Sequence, residues 1–177
     1  MTARSTGNVQ LGHAEHVPSG KSFPVSLVAA DMTDPANIGG LFRLADALGV
    51  GHIYLTGTSA TPHNIKVRRT ARSTQQWVSW SYAQDSVALV RELKSRGQWI
   101  VALEITSNSV DVRKLSLPLG AEIVLILGSE SQGISQPLLD EADRTVHIPM
   151  MGSNSSMNVV VATALAVFEM TKELPAI

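Results

Sequence analysis

The chain has 177 residues, of which 44% are hydrophobic and 16% are charged, and its formal net charge is −1. This size and composition predict one compact domain with a full hydrophobic core, and the charge excludes a strong overall attraction to nucleic acid. The chain contains no cysteine, which excludes a disulfide framework and a thiolate metal site and is typical of a reducing cytosol.

The N-terminal segment, residues 1–22, is polar and has no apolar run. It therefore does not form a signal peptide, and we predict a mobile arm in front of a single domain that spans residues 23–174. Together with the lack of cysteine, this predicts a cytoplasmic protein. Among the five histidines, only His13 and His16 have the spacing of metal ligands. Because both fall in the arm, we expect no metal site.

Strands alternate with helices after the arm, which predicts an α/β domain with a mostly parallel sheet flanked by helices. The predicted strands are 23–30, 52–56, a further short strand at 76–79, 98–104, 122–127 and 145–148. The predicted helices are 34–49, 85–96, 135–141 and 159–170. Residues 61–73 are predicted to be irregular or a short helix, and residues 106–117 a polar connection.

The last predicted helix is apolar on nearly every side, from Val159 to Phe168. A helix of this kind must be covered from several directions, and we expect these to be its own sheet and a second copy of the chain. Its apolar run stops at Glu169, well short of the roughly 20 residues that a membrane span needs. We therefore expect no membrane association.

The first candidate loop covers residues 34–43. Asp34 and the following proline predict the start of a helix, and Gly39 and Gly40 then stand inside it. Each glycine costs on the order of 1 kcal/mol relative to alanine, which close approach of a ligand or of another backbone would offset. Taken alone, the segment favours tight packing with a solvated arginine at position 43.

Two further loops follow predicted strands. Residues 127–133 come directly after the central strand, and ligands in open α/β sheets bind beyond the carboxyl ends of strands. Residues 152–158 precede the apolar helix, and Ser155 or Ser156 could cap it. Alone, the first is better explained as a tight turn and the second as a helix cap. Three such loops beside one sheet favour a binding site instead.

The predicted segment 61–73 is basic. It carries four cations within seven residues: Lys66, Arg68, Arg69 and Arg72. A solvated face is the usual meaning of such a run, whereas Trp77 and Trp80 downstream favour a patch that contacts RNA. Both interpretations stay open at this point.

The three loops, in this order, resemble the three motifs of the SpoU (TrmH-like) RNA ribose methyltransferases of the SPOUT superfamily. Residues 37–43, Asn-Ile-Gly-Gly-Leu-Phe-Arg, match the first motif, and residues 127–133, Leu-Gly-Ser-Glu-Ser-Gln-Gly, match the second. Residues 148–158 match the third, with Met157 where leucine is commoner. The resemblance extends from about residue 24 to residue 170.

This resemblance implies an α/β domain with a C-terminal trefoil knot that binds S-adenosylmethionine, and a homodimer formed through the C-terminal helix. It implies methyl transfer to a ribose 2′-hydroxyl of tRNA or rRNA, with no metal. Positions that match the family's cofactor pocket are Leu103, Gly128, Ile148 and Met157, where Gly128 would let the chain approach the cofactor closely. Positions that match its polar active site are Arg43, Asn37, Glu130, Ser156 and Asn158. We expect the basic segment to contact the RNA.

The matched arginine does not suit the role of a base, because a guanidinium has a pKa above about 12 and only donates hydrogen bonds. We expect Arg43 to hold the adjacent RNA phosphate, while the phosphate or a water accepts the proton of the hydroxyl. Asn37 and Ser156 are expected to position the ribose. Asn158 is expected to fix the third loop, and Glu130 to orient Arg43.

Two other classes of protein remain as alternatives. A non-catalytic RNA-binding or assembly protein that keeps the fold is disfavoured, because all five polar positions of the family are present together. A dinucleotide-dependent enzyme is disfavoured, because no Gly-x-Gly-x-x-Gly follows the first predicted strand. Cofactor binding separates the first alternative from an enzyme.

Overall fold

The structure is a computed structural model that describes residues 7–10, 12 and 15–177. The arm predicted at 1–22 lies partly outside the described residues, as does His13. Its described residues up to 21 are exposed. The backbone of Ser22 then pairs with that of Ile177, with N–O distances of 3.0 and 2.8 Å.

Seven strands form a single sheet. In chain order they are β1 (Phe23–Ala30), β2 (Val50–Thr56), β3 (Trp80–Ala83), β4 (Trp99–Leu103), β5 (Val110–Asp111), β6 (Ile123–Leu127) and β7 (Arg144–His147). Their spatial order is β3-β2-β1-β6-β4-β7-β5, and each pairing is parallel. The parallel α/β sheet predicted from the sequence is therefore confirmed.

Five α-helices flank the sheet: α1 (Pro35–Leu48), α2 (Ile65–Ala71), α3 (Ser86–Ser95), α4 (Gln136–Glu141) and α5 (Val159–Met170). The predicted start and end of α1 are confirmed. The Asp34 side chain accepts a hydrogen bond from the amide of Ala36, and Gly49 ends the helix with φ 67°. None of the helices within the described residues is long and apolar enough to cross a membrane.

The sheet is covered on both faces. Side chains of α1, α2 and α5 pack on one face, including Leu41, Val67 and Val167. Side chains of α3 and α4 pack on the other, including Val90 and Leu138. All five residues of β6 are buried, which confirms the central strand.

Three local predictions were wrong. Residues 76–79 are not a strand, because the chain first makes a 3-10 turn at Thr74–Gln76 and the strand begins at Trp80, whose ring packs edge-on against Phe42 at 6.4 Å. The segment 106–117 is not only a connection, because it contains the two-residue strand β5 and a 3-10 turn. The cap of α5 is Asn158, not a serine.

Close helix packing accounts for the two glycines of α1. A Cβ atom on Gly39 would lie 2.6 Å from the Cβ of Thr70 and 2.8 Å from the carbonyl oxygen of Val67. A Cβ atom on Gly40 would lie 3.1 Å from the Val160 side chain. Approach of another backbone therefore offsets the cost of Gly39. The trefoil knot stays a prediction.

Candidate active site

A cavity of about 640 Å³ opens at the carboxyl ends of three neighbouring strands. Its walls contain Leu103 and Glu104 after β4, Gly128 and Glu130 after β6, and Ile148 after β7. The N-terminal ends of α1 and α5 complete the walls. The volume is within the range of small-molecule sites, and the position is the one at which parallel α/β sheets bind ligands.

Asn37 joins the three candidate loops at this cavity. Its side-chain nitrogen donates to Glu130 Oε1 at 2.8 Å, and its oxygen accepts from Asn158 Nδ2 at 3.0 Å. Only 8% of Asn37 is exposed. The oxygen of Asn158 in turn accepts from the backbone amides of Val160 and Val161. A single network therefore fixes the first loop to the second and third, and to the start of α5.

The second loop closes as a tight hairpin. Ser129 and Gly133 exchange two backbone hydrogen bonds of 3.0 and 3.1 Å. A Cβ atom on Gly128 would lie 2.1 Å from the carbonyl carbon of Gly133, so the hairpin itself requires glycine there. The protein's own backbone therefore excludes a side chain at Gly128, and the expected close approach to the cofactor stays a prediction.

Glu104 is a pocket residue that the sequence reasoning missed. Its carboxylate accepts from the amides of Ile105 at 2.9 Å and Ile134 at 3.1 Å. These bonds hold the end of the second loop against the end of β4. His147 was missed too, and its Nδ1 lies 3.0 Å from Ser109 Oγ. Glu104 directly follows β4, and His147 is the last residue of β7. A polar residue at the carboxyl end of a predicted strand was the signal in the sequence that could have identified both.

The charges around the cavity have one dominant sign. Carboxylates of Asp34, Glu104 and Glu130 line it, together with the imidazole of His147, and no lysine or arginine is among the described residues of its walls. A cleft with charges of one sign and low-dielectric walls concentrates ligands of the opposite sign. The cavity is therefore suited to a ligand that carries positive charge.

Of the nine residues predicted for the catalytic and cofactor positions, the structure brings eight to this cavity. They are Asn37, Leu103, Gly128, Glu130, Ile148, Ser156, Met157 and Asn158. Arg43 is exposed on α1 and does not line the cavity. Within the chain, Glu130 bonds to Asn37, and the expectation that Glu130 orients Arg43 stays a prediction.

The predicted RNA-contacting residues lie on α2, outside the cavity. Lys66, Arg69 and Arg72 are exposed. Arg68 is exposed as well, and its guanidinium donates to the carbonyls of Pro62 and His63, at 3.0 and 2.9 Å. Arg68 therefore stabilises the turn in front of α2.

The two tryptophans near the basic segment differ in their surroundings. Trp80 is half-buried and makes edge-on ring contacts with Phe42 and His63, whereas Trp77 is 60% exposed. Only Trp77 is therefore available to a ligand. Among the described residues, no group of three or more histidine or acidic side chains is arranged to hold a metal ion.

This chain is similar to a known protein family, to individual proteins and to solved structures. The model of the SpoU rRNA Methylase family matches residues 24–168. The 23S rRNA (guanosine-2′-O-)-methyltransferase RlmB of Pseudomonas aeruginosa is 29% identical over 153 residues, which are 86% of this chain and 60% of that protein. The chain thus spans about 60% of the length of this relative.

Solved structures are similar as well. An AdoMet-bound rRNA methyltransferase from Sinorhizobium meliloti superposes with a TM-score of 0.78 and 27% identity, over 84% of this chain and 56% of that one. The TrmH/SpoU tRNA modifying enzyme of A. aeolicus has a TM-score of 0.77 and 27% identity, over 86% of this chain and 76% of that one.

Proposed function

The chain belongs to the SpoU rRNA Methylase family, and from this premise we propose that it transfers a methyl group from S-adenosylmethionine to a ribose 2′-hydroxyl of tRNA or rRNA. The observation that carries the proposal is the network at Asn37. It ties the three family motifs together through Glu130 and Asn158, around one small-molecule cavity.

The cavity fits the proposed cofactor in size and charge. S-adenosylmethionine, when bound, supplies an activated methyl group on a positively charged sulfur. Leu103, Gly128, Ile148 and Met157 line the cavity, and we assign them to hold the cofactor. Because no lysine or arginine accompanies the carboxylates among the residues of the cavity that the structure describes, its walls favour the cation over the uncharged sulfur of the product.

The remaining chemistry is positioning and proton removal. Asn37 and Ser156 line the cavity and would orient the ribose, and alignment of reactants alone contributes much of a rate enhancement. Glu130 would hold Asn37 in place through the bond between them. Arg43 would hold the RNA phosphate beside the reacting hydroxyl, and the phosphate or a water would accept its proton.

A homodimer is part of this proposal. Val161, Leu165 and Phe168 of α5 are 51%, 46% and 59% exposed, and their spacing puts them on one side of the helix. This side is large and apolar, while the opposite side of α5 is already packed on the sheet. We therefore assign the exposed side to contact with a second copy.

The same contact explains the position of Arg43. A Cβ atom on Gly40, one turn earlier on α1, would lie 3.1 Å from the Val160 side chain of α5, and we infer that Arg43 lies close to the proposed interface. It is exposed and outside the cavity of its own chain. In the proposed dimer, Arg43 of one copy would hold the RNA phosphate beside the cavity of the other copy.

The knot and the location complete the proposal. We assign residues 23–174 to the catalytic domain, with a trefoil knot in its C-terminal part, as the family resemblance implies. We place the activity in the cytoplasm, which agrees with the absence of cysteine.

The test is transfer of label from S-adenosylmethionine to unmodified tRNA and rRNA in separate reactions, with Arg43→Ala as the control. Alkali-resistant dinucleotides identify a 2′-O-methyl product. Label in one RNA pool that disappears with Arg43→Ala supports the proposal and identifies the substrate class. Absence of both labelled RNA and cofactor binding would contradict it and favour the non-catalytic RNA-binding alternative.

A further inference from the structure

Trp77 has the features of a ligand-binding ring rather than of a core residue. It is 60% exposed, although tryptophan is usually well covered in folded proteins. Its indole nitrogen donates to Asp46 Oδ1 of α1 at 2.7 Å. The polar edge of the ring is therefore held in place, and its flat faces are the part that a ligand can use.

The backbone in front of Trp77 is strained. Arg72 and Ser73 have φ values of 50° and 75°, and they are consecutive non-glycine residues in the left-handed region. Such conformations are unfavourable and cluster at functional sites. The strained pair leads from α2 into the 3-10 turn, whose backbone bonds to Thr74 fix Trp77 and Val78. The strain thus places the ring beside α1.

The neighbouring charges favour a nucleic acid as the ligand. Arg69 and Arg72 are exposed near the end of α2, just before the turn that carries Trp77. Asp46, which holds the ring, is three residues after Arg43 on α1, so the two lie on the same side of that helix. They are separated by about 4.5 Å along its axis.

We propose that Trp77 is a stacking platform for an unpaired base of the RNA, next to the nucleotide phosphate that Arg43 holds. This rests on the proposed RNA substrate and adds a recognition site to it. Proteins bind single-stranded RNA by stacking bases on aromatic rings beside cations that track the backbone. The exposed arginines at the end of α2 and the exposed ring of Trp77 match this chemistry.

The test measures the affinity of the full chain for unmodified tRNA over a range of salt concentrations. Trp77→Ala is expected to weaken binding about 5- to 100-fold, the effect of losing one stacked base. Stacking releases no counterions, so the slope of log affinity against log salt stays unchanged. Trp77→Phe keeps an aromatic face and retains most of the affinity. Trp77→Leu, which is apolar but not aromatic, behaves like Trp77→Ala.

Two further readouts make the test specific. Addition of oligouridine to the wild type is expected to quench tryptophan emission, and this quenching disappears in Trp77→Phe. Affinity for S-adenosylmethionine is expected to stay at the wild-type value in all three variants, because Trp77 is outside the cavity. The thermal midpoint is expected to fall by a similar small amount in all three, because each loses the bond from the indole nitrogen to Asp46.

Each other outcome overturns the stacking site. Equal RNA affinity of Trp77→Ala and the wild type would remove Trp77 from the interface and leave the methyl transfer intact. Trp77 emission that depends on protein concentration would show that a second copy covers the ring. A wild type that binds no RNA would overturn this site too, and the methyl-transfer reaction then shows independently whether the proposed function fails.

Discussion

The cavity and the basic surface of α2 are built in opposite ways. Around the cavity, polar side chains from distant parts of the chain bond to one another, as Asn37 does to Glu130 and Asn158. On α2, Lys66 and Arg69 are exposed. We propose that the first is a rigid site for a small cofactor and the second an adaptable surface for a large polyanion. Arg43 belongs neither to the cavity of its own chain nor to the basic surface of α2.

The largest effect is expected from the residue between the two regions. Arg43→Lys should lower methyl transfer by about 100- to 1,000-fold, because an ammonium group does not reproduce the two-pronged contact of a guanidinium with a phosphate. Affinity for S-adenosylmethionine should not change. The measurements are the turnover rate at saturating RNA and calorimetric cofactor binding. Near-normal turnover would refute the phosphate clamp.

The rigidity of the cavity is tested at the second loop. Gly128→Ala should weaken binding of S-adenosylmethionine about 10- to 100-fold, because its Cβ would collide with the backbone of Gly133 and overpacking costs about 1–3 kcal/mol. Gly152→Ala is the matched control, since its Cβ would meet no atom within 4 Å. Equal affinities of the two variants would show that the hairpin does not shape the site.

The adaptable surface is tested through salt dependence. Arg69→Glu should weaken RNA binding. It should also reduce the magnitude of the negative slope of log affinity against log salt by about one, which corresponds to the loss of one phosphate contact. Arg68→Gln should leave this slope nearly unchanged and lower the thermal midpoint, because Arg68 bonds to the backbone of its own chain. If the slope for Arg69→Glu stayed at the wild-type value, α2 would not belong to the RNA interface.

The smallest effects are expected at two helix caps, where loss of stability can be distinguished from loss of cofactor binding. Asn158→Ala and Asp85→Ala each remove a cap, of α5 and α3, and each should cost about 1 kcal/mol of unfolding free energy. Only Asn158→Ala should also weaken cofactor binding, because Asn158 bonds to Asn37. Chemical denaturation and calorimetry measure both quantities. A similar loss of cofactor affinity in Asp85→Ala would mean that general destabilisation is the cause.

Local sequence patterns predicted most of the sheet. The apolar run of β6 and the Asp34-Pro35 start of α1 are signals within a few residues, and both elements form as predicted. The two-residue strand β5 carries no such pattern, since its pairing with β7 depends on the finished sheet. The strand at 80–83 was predicted too early in the chain, because the 3-10 turn before it has no apolar periodicity or glycine that would mark it in the sequence.

The sequence predicted which residues line the cavity better than it predicted which of them bond to one another. Motif resemblance named eight residues of the cavity, but the bond of Glu130 to Asn37, 93 residues away, was not predicted. Such pairings depend on how the strands are ordered in the sheet. Glu104 was missed because its bond to Ile134 likewise joins segments that only the fold brings together.

The central claim is that Arg43 of one copy completes the cavity of the other, and mixed dimers test it most directly. Arg43→Ala and Gly128→Ala chains are unfolded, mixed and refolded, with each variant refolded alone as the control. All samples are assayed at an S-adenosylmethionine concentration too low to occupy the cavity of Gly128→Ala. In a mixed dimer, an intact cavity meets an intact Arg43 from the partner copy. We predict that methyl transfer returns. Each mixed dimer then has one working site of two, so its activity reaches about half that of a wild-type dimer. Mixed dimers that form but stay inactive would show that Arg43 does not act across the interface.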